Sequence, residues 1–177
     1  MLRVPFNKAA LLVIDVQPTY CAYDGLYNYD AEQVAKKIAK TVPSFRSLGM
    51  PVYVVYYDKK KRPISEISFH HFKPAHNDIA IAKNANSAFK GSDIDRVLKH
   101  SGHKHLLVTG FSHNACVFVT VLDALRKKYD VSVLKDLTGN ESINDPFGDE
   151  HESYSRIMQQ RGAVITDSKK VLKALRQ

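Results

Sequence analysis

The sequence contains very little cysteine, and this scarcity restricts the kind of protein it can be. Cys21 and Cys116 are the only two cysteines among 177 residues, and they lie far apart with no C-x-x-C spacing. This argues against a secreted fold built on disulfides and against a zinc ribbon. A domain of this length buries about 70% of its unfolded surface and needs no such cross-links. We therefore expect one globular domain over residues 1–177.

Long apolar runs and dense basic motifs are also missing. The first apolar run covers residues 9–14 and ends at Asp15, so it is too short for a signal-peptide core or a membrane span. The net charge is +8, but residues 59–62 form the only dense basic run. No RNP motif, zinc finger or basic stripe with interleaved aromatics is present, which favours solvated surface charge. We expect a cytoplasmic protein without a nucleic-acid or membrane partner; an anionic substrate stays open.

The most informative stretch runs from Leu106 to Leu125. An apolar, β-branched run breaks at Gly110, passes through short polar residues and becomes apolar again at helical spacing after Cys116. This pattern predicts a buried strand, a tight turn and a helix with Cys116 at or near its first turn. Helix N-terminal N–H groups favour a thiolate, which is the nucleophilic form, and can hold an oxyanion. A free cysteine is, however, more often a small buried hydrophobe.

The rest of the chain alternates strand and helix patterns. Strands are predicted at residues 9–14, 51–57, 79–81, 106–109, 131–134 and 163–165, and helices at 31–48, 92–99, 116–125, 150–161 and 169–175. Such alternation predicts an α/β fold with three layers (αβα) and a mostly parallel six-stranded sheet, whose typical order is 3-2-1-4-5-6. Asp15, Lys83 and Cys116 then all fall at carboxyl ends of strands, where ligands bind. No G-x-G-x-x-G follows the first strand, so a dinucleotide cofactor has no support.

Three segments in order resemble the isochorismatase-like cysteine hydrolases, which include nicotinamidases and related amidases. They are residues 10–17 with Tyr20-Cys21 and Gly25-Leu26; Lys83 with Ser87-Ala88-Phe89; and Gly110-Phe111-Ser112 leading to Cys116-Val117, Thr120, Asp123 and Ala124. The resemblance covers nearly the whole chain. It implies a Rossmann-like fold and a non-proline cis peptide at Phe111–Ser112.

The resemblance also implies roles for individual residues. Asp15, Lys83 and Cys116 would form a catalytic triad in which Cys116 attacks a carbonyl, Asp15 transfers the proton and Lys83 stabilises both charges. The backbone N–H groups of Ala115 and Cys116 would form the oxyanion hole. Candidate substrate-pocket residues are Gln17, Tyr20, Phe89, Phe111 and Ser112. Taken singly, Asp15 could cap a turn and Lys83 could be a solvated surface residue.

Two departures from the family pattern bear on metal and substrate. Members with a nicotinamidase-type metal site have D-x-H after the second strand, whereas Asp58 is followed here by Lys59-Lys60. The histidines of the following loop, His70, His71 and His76, could join Asp58 around a metal, but lysines beside a cation are unfavourable. We therefore expect neither metal nor cofactor. Thr-Asp, usual three and two residues before the cysteine, is replaced by His113-Asn114, which could change substrate contacts.

These patterns favour a cysteine amidohydrolase that cleaves a C–N bond of a small molecule through a thioester. Two alternatives stay open: vinyl-ether hydrolysis of the isochorismatase type, with Asp15 as the acid, and a binding or scaffold protein that has lost turnover. The long basic loop over residues 58–77 has no obvious packing partner in the sequence pattern. Since family members commonly assemble, we expect a homo-oligomer, a dimer or tetramer, with this loop near the interface or the active-site mouth.

Overall fold

The computed structural model describes residues 6–21, 29–140 and 149–176. Six parallel strands form one sheet in the order β3-β2-β1-β4-β5-β6. The strands are β1 (Ala9–Ile14), β2 (Val52–Tyr57), β3 (Ile79–Lys83), β4 (His105–Phe111), β5 (Asp130–Gly139) and β6 (Val164–Thr166). The predicted fold class and strand order are confirmed. Strand β1 is buried along its whole length because helices cover both faces of the sheet.

Within the described residues, six α-helices form the two outer layers. They are α1 (Pro18–Cys21), α2 (Tyr29–Ser47), α3 (Ile94–His100), α4 (Phe118–Arg126), α5 (Asp149–Gln160) and α6 (Ser168–Leu175). One core cluster joins the sheet to α3, α4 and α5, and the other joins it to α1, α2 and α6. This division produces the predicted three layers. No helix in these described ranges is long and apolar enough to cross a bilayer.

Several boundaries differ from the sequence prediction. Strand β5 continues to Gly139, well past the predicted end at residue 134, because its pairing with β4 resumes after an irregularity between Val108 and Gly110. Helix α3 begins at Ile94 with Asp93 as its N-cap, so the predicted start at Ser92 is wrong. The Gly25-Leu26 motif and residues 141–148 of the predicted turn-rich segment lie outside the described residues.

The loop between β2 and β3 packs on the sheet, contrary to the sequence expectation. Phe72 is buried, and the ring of Phe69 makes edge contacts with Tyr56 and Phe72 at centroid distances of 6.3 and 5.9 Å. Arg46 of α2 holds the far end of the loop through its Nε bond to Asp78 at 3.0 Å. The loop therefore needs no second chain to cover it. The packing of the loop removes one reason to expect a homo-oligomer, and the homo-oligomer stays a prediction.

Close contact between β1 and β4 depends on Gly110. Its φ is +118°, and a Cβ atom there would lie 2.0 Å from the carbonyl oxygen of Ile14. Only glycine fits a backbone position that combines such a φ with such an approach. The absent side chain lets the end of β4 lie directly against the end of β1, where Asp15 follows.

Candidate active site

Asp15 directly follows β1 in a left-handed backbone conformation with φ +49°. Its N–H donates to the Val55 carbonyl oxygen at 2.9 Å, which ties it to β2, and its side chain is fully buried. Positive φ is uncommon for residues other than glycine and marks a backbone held by its surroundings. The chain thus turns sharply at the sheet edge and leaves this carboxylate inside the protein.

Lys83 is the last residue of β3, and its side chain is also fully buried. Its Nζ lies 2.7 Å from Asp15 Oδ2 and donates to the carbonyl oxygens of Ala85 at 3.0 Å and Asn86 at 3.1 Å. The ring of Tyr57, which faces Lys83 in the β2–β3 register, lies 5.3 Å from the ammonium. A buried charge is tolerated only when it is paired and hydrogen-bonded, and Lys83 meets both conditions.

Cys116 lies in a wide five-residue turn, His113–Val117, that leads into α4. The structure refines the sequence prediction here, because the cysteine precedes the α-helix in a π-type turn. Such turns occur frequently at functional sites. The Cys116 Sγ atom is 3.5 Å from Lys83 Nζ, and the side chain is 7% exposed. The structure therefore brings together all three residues of the expected triad.

The electrostatic balance keeps the Cys116 thiol protonated. Burial is the largest cause, and together with the charge of Asp15 it raises the pKa of the thiol to about 12, although Lys83 acts in the opposite direction. A hydrogen bond to Asp15 also favours the thiol. The sequence pattern led us to expect that the N-terminal N–H groups of a helix would favour the thiolate. In this structure Asp15 and burial prevail, so the resting group is a thiol beside a carboxylate.

The backbone before Cys116 is shaped by two features. The Phe111–Ser112 peptide bond is cis, as the resemblance implied. The carbonyl oxygen of Ser112 accepts bonds from the N–H groups of Ala115 and Val117, both at 3.0 Å. The Ala115 N–H is therefore already engaged, and it could serve an oxyanion only by exchanging that bond. Of the two donors expected in the oxyanion hole, the Cys116 N–H is the better candidate.

Three of the five expected pocket residues have other contacts. The Gln17 amide bonds the backbone of Tyr57 through both its oxygen and its nitrogen, at 2.8 and 3.2 Å, and so joins the ends of β1 and β2. Phe111 is fully buried in the core on the α2 side. The Phe89 ring packs on the ring of Tyr129, the residue just before β5, at a centroid distance of 5.6 Å. Each of the three thus has a packing or backbone-bonding role in this structure, and their place in the pocket wall stays a prediction.

The other two stay candidates for substrate contact. Tyr20 is half-buried on α1, two residues beyond the start of that helix. Ser112 is buried, and among the described residues its Oγ has no hydrogen-bond partner. A buried hydroxyl without a partner is costly, so Ser112 is suited to bind a polar group that arrives with the substrate.

The ligand set considered for a nicotinamidase-type metal site does not assemble. The Asp58 carboxylate accepts bonds from Arg62 Nη2 at 2.8 Å and from the Arg62 backbone N–H at 2.7 Å, and these bonds lower its pKa. His70 and His71 contact Glu32 instead of Asp58, and His76 is exposed. The structure thus places Arg62, and none of the three histidines, against the Asp58 carboxylate, and the absence of a metal there stays a prediction.

Some contacts that shape the site were not predicted from the sequence. His113 is fully buried and bonds Thr138 and Ser155, so it anchors the cysteine turn to β5 and α5 and does not face a substrate. Thr120 Oγ1 accepts a bond from the Ala88 N–H at 2.9 Å and so joins α4 to the segment after Lys83. Tyr57 was predictable, because it ends β2 beside Lys83. The contacts of His113 and Thr120 depend on the packed helices and leave no local signal.

Comparisons with known proteins bear on the family and the fold of the chain. The chain matches the isochorismatase domain model over residues 9–170. It is 28% identical over 174 residues to YddQ, an isochorismatase-family protein of Bacillus subtilis, covering 89% of this chain and 93% of that protein. It is 26% identical over 178 residues to the ureidoacrylate amidohydrolase RutB of Variovorax paradoxus, covering 77% and 71%. A cysteine hydrolase structure from Pseudomonas syringae pv. phaseolicola superposes with a TM-score of 0.83 at 19% identity, covering 99% of this chain and 96% of that one.

Proposed function

The chain belongs to the isochorismatase family of hydrolases, and from that premise we propose that it is a cysteine amidohydrolase acting on a small amide or ureide. One observation carries the proposal: the ammonium of Lys83 lies 2.7 Å from the Asp15 carboxylate and 3.5 Å from the Cys116 sulfur, and all three side chains are buried. The similarity to a ureidoacrylate amidohydrolase supports a C–N bond as the bond cleaved.

The protonation state at rest defines the role of Asp15. Because the Cys116 pKa is raised to about 12, the nucleophile is formed during the reaction by transfer of the thiol proton to Asp15. The influence of Asp15 on the pKa of the thiol indicates that the two groups lie close together, which makes Asp15 the natural acceptor of that proton. Lys83 keeps an opposite charge beside Asp15 before the transfer and beside the sulfur after it.

The reaction then proceeds in two halves. Sulfur attacks the carbonyl carbon, and the resulting oxyanion accepts a bond from the Cys116 N–H. The C–N bond breaks as Asp15 returns its proton to the leaving nitrogen, which gives an amine or ammonia and a thioester on Cys116. Asp15 next takes a proton from water, the hydroxide attacks the thioester, and the C–S bond breaks. The acid product leaves, and the proton held by Asp15 restores the thiol.

The test is product release across a panel of small amides and ureides. Ammonia formation should be saturable for at least one class of compound, and Cys116→Ala should abolish it. Cys21→Ala is the matched control, because Cys21 is the other buried cysteine, packs in the core cluster that includes α2 and should be dispensable for turnover. Mass spectrometry after rapid acid quenching should find the acyl group on the peptide that contains Cys116.

Two results would contradict the proposal, and each favours one alternative. Turnover that survives Cys116→Ala would favour vinyl-ether hydrolysis with Asp15 as the acid. Saturable binding of compounds from the panel, without release of ammonia or formation of an acyl-enzyme, would favour a binding protein.

A further inference from the structure

We propose that Glu32, His70 and His71 form a divalent-cation site, best suited to zinc, that fastens the loop after β2 to the first turn of α2. The site lies outside the Asp15–Lys83–Cys116 cluster, and the inference does not depend on the proposed amidase activity. It rests on the donor set, the geometry of the donor atoms and the backbone that presents them.

The donors are those that zinc prefers. Both histidines direct Nε2 at the same carboxylate: His71 Nε2 is 2.6 Å from Glu32 Oε1, and His70 Nε2 contacts Oε2. One ligand atom from each residue lies within 4.8 Å of the others. Two imidazole nitrogens and one carboxylate oxygen, with water in the fourth position, form an established zinc coordination set. Ligand atoms around a tetrahedral zinc lie about 3.3 Å apart at normal bond lengths, so small side-chain shifts open the required space.

The backbone around His71 is arranged to place two adjacent side chains on one target. Neighbouring residues in an extended chain point to opposite sides. Here the Phe72 N–H donates to the His70 carbonyl oxygen at 2.6 Å, which closes a three-residue turn around His71, whose φ is +55°. Three-residue turns centred on a positive φ are rare and strained. The turn brings the two imidazole rings to a centroid distance of 4.4 Å. An observed backbone outlier of this kind supports a hypothesis of function.

The turn is fixed at both ends. At one end, the His70 N–H donates to the carbonyl oxygen of Val16, the residue after Asp15, at 2.9 Å. At the other end, Phe72 is buried in the core. Glu32 stands on a regular helix, and its side chain is only 13% exposed. The donors are therefore presented by anchored backbone, which lowers the entropy lost when a cation binds.

One positive charge opposes the cation. Lys36 Nζ lies 3.0 Å from Glu32 Oε1. Its side chain is 51% exposed, so the ammonium can move into water when a metal takes its place. This gives a directional test, because removing the lysine charge should tighten metal binding, whereas removing a ligand should weaken it.

The experiment uses the full chain, stripped with a chelator and dialysed, and titrated with zinc chloride by calorimetry. Cobalt(II) absorption in the visible range provides a second readout of tetrahedral coordination. We expect one zinc per chain. Glu32→Gln and His71→Ala should each weaken binding by at least about tenfold, since even the loss of a partner behind a ligand costs 10- to 100-fold. Lys36→Gln should tighten it, and zinc should raise the Tm of the wild type but not of Glu32→Gln.

The controls are His76→Ala, which removes an exposed histidine of the same loop, and Cys116→Ala, which removes the proposed nucleophile. Both should bind zinc as the wild type does. Absence of saturable binding, equal binding in Glu32→Gln and His71→Ala, or loss of binding in either control would overturn the site and leave a carboxylate–imidazole cluster only. Because binding is measured directly, failure of the amidase proposal leaves this result intact, and the converse also holds.

Discussion

Replacing His113 by glutamine should make the stability of the protein less dependent on pH between pH 8 and pH 5. His113 begins the turn that carries Cys116, and its ring is fully buried. Nδ1 is 2.9 Å from Thr138 Oγ1, and Nε2 is 3.0 Å from Ser155 Oγ. The Thr138 hydroxyl donates to the Lys135 carbonyl oxygen, so we assign the proton to Nδ1 and an acceptor role to Nε2. Both nitrogens of the neutral ring are thus satisfied.

The magnitude follows from the shifted pKa. Burial, with a smaller contribution from the charge of His151, lowers the pKa of His113 from 6.5 to about 3. Below pH 6.5 the His113 ring binds a proton in the unfolded chain, whereas in the folded protein it stays neutral until the pH is much lower. The stabilising contribution is therefore complete above pH 6.5 and is lost progressively as the pH falls toward 3. At about 1.36 kcal/mol per pH unit, the loss reaches about 2 kcal/mol at pH 5.

Urea unfolding at pH 8 and pH 5 measures this contribution. The wild type should lose about 2 kcal/mol more than His113→Gln between the two conditions. Some pH dependence should persist in the variant, because burial also lowers the pKa values of His103 and His105. His76→Gln, at an exposed histidine, should behave as the wild type. An equal loss in the wild type and His113→Gln would refute the reasoning, as would an NMR titration of His113 with a midpoint near 6.5.

The remaining predictions concern the site, the sheet and the assembly. Lys83→Met should slow iodoacetamide labelling of Cys116 at a fixed alkaline pH and slow hydrolysis on the order of a hundredfold, whereas Asp15→Asn should speed labelling and abolish turnover, because Lys83 lowers and Asp15 raises the pKa of the thiol. Gly110→Ala should cost about 3 kcal/mol or more in urea unfolding, from strain and overpacking together. Gly49→Ala is its control, because Gly49 also has a positive φ but a Cβ atom there would meet no other atom. This substitution should lower the free energy of unfolding by about 1–2 kcal/mol. Turnover should survive chelation, because the triad itself contains every group that the mechanism uses. Light scattering should show an assembly larger than one chain.

Each of these has a contrary outcome. An unchanged labelling rate and unchanged turnover in Lys83→Met would remove Lys83 from the site. Equal losses at the two glycines would show that the approach of β4 to β1 is not tight. Activity lost with EDTA and restored by zinc would make the metal catalytic, and a monomer at micromolar concentration would contradict the expected assembly.

The sequence predicted the sheet order and the meeting of Asp15, Lys83 and Cys116 for one physical reason. Carboxyl ends of parallel strands share an edge, so residues that follow apolar runs are brought together by topology alone. It failed to predict the full length of β5, because Lys135 and Asp136 interrupt the apolar pattern while the backbone continues to pair. Local composition cannot show that pairing resumes beyond an irregularity.

The directions of some side chains also could not be predicted from the sequence. Phe111 was expected in the pocket, yet it faces the core on the α2 side, and the partner of His70 and His71 turned out to be Glu32 rather than Asp58. Both outcomes depend on the backbone path. In the second case, one positive φ at His71 decides which carboxylate the two rings reach. No periodicity in the sequence encodes such an angle for a residue other than glycine.

Because Cys116 is buried in the folded protein, the reactivity of its thiol reports whether the chain has folded. Its surroundings come from β1, β3 and the turn after β4, so they do not exist until the two halves of the sheet have joined along β1 and β4. In an incompletely folded chain the same thiol is exposed, with an ordinary pKa near 8.5, and reacts with alkylating agents far faster than in the native protein. Pulses of iodoacetamide during refolding would therefore mark the chains whose central strands have not yet paired.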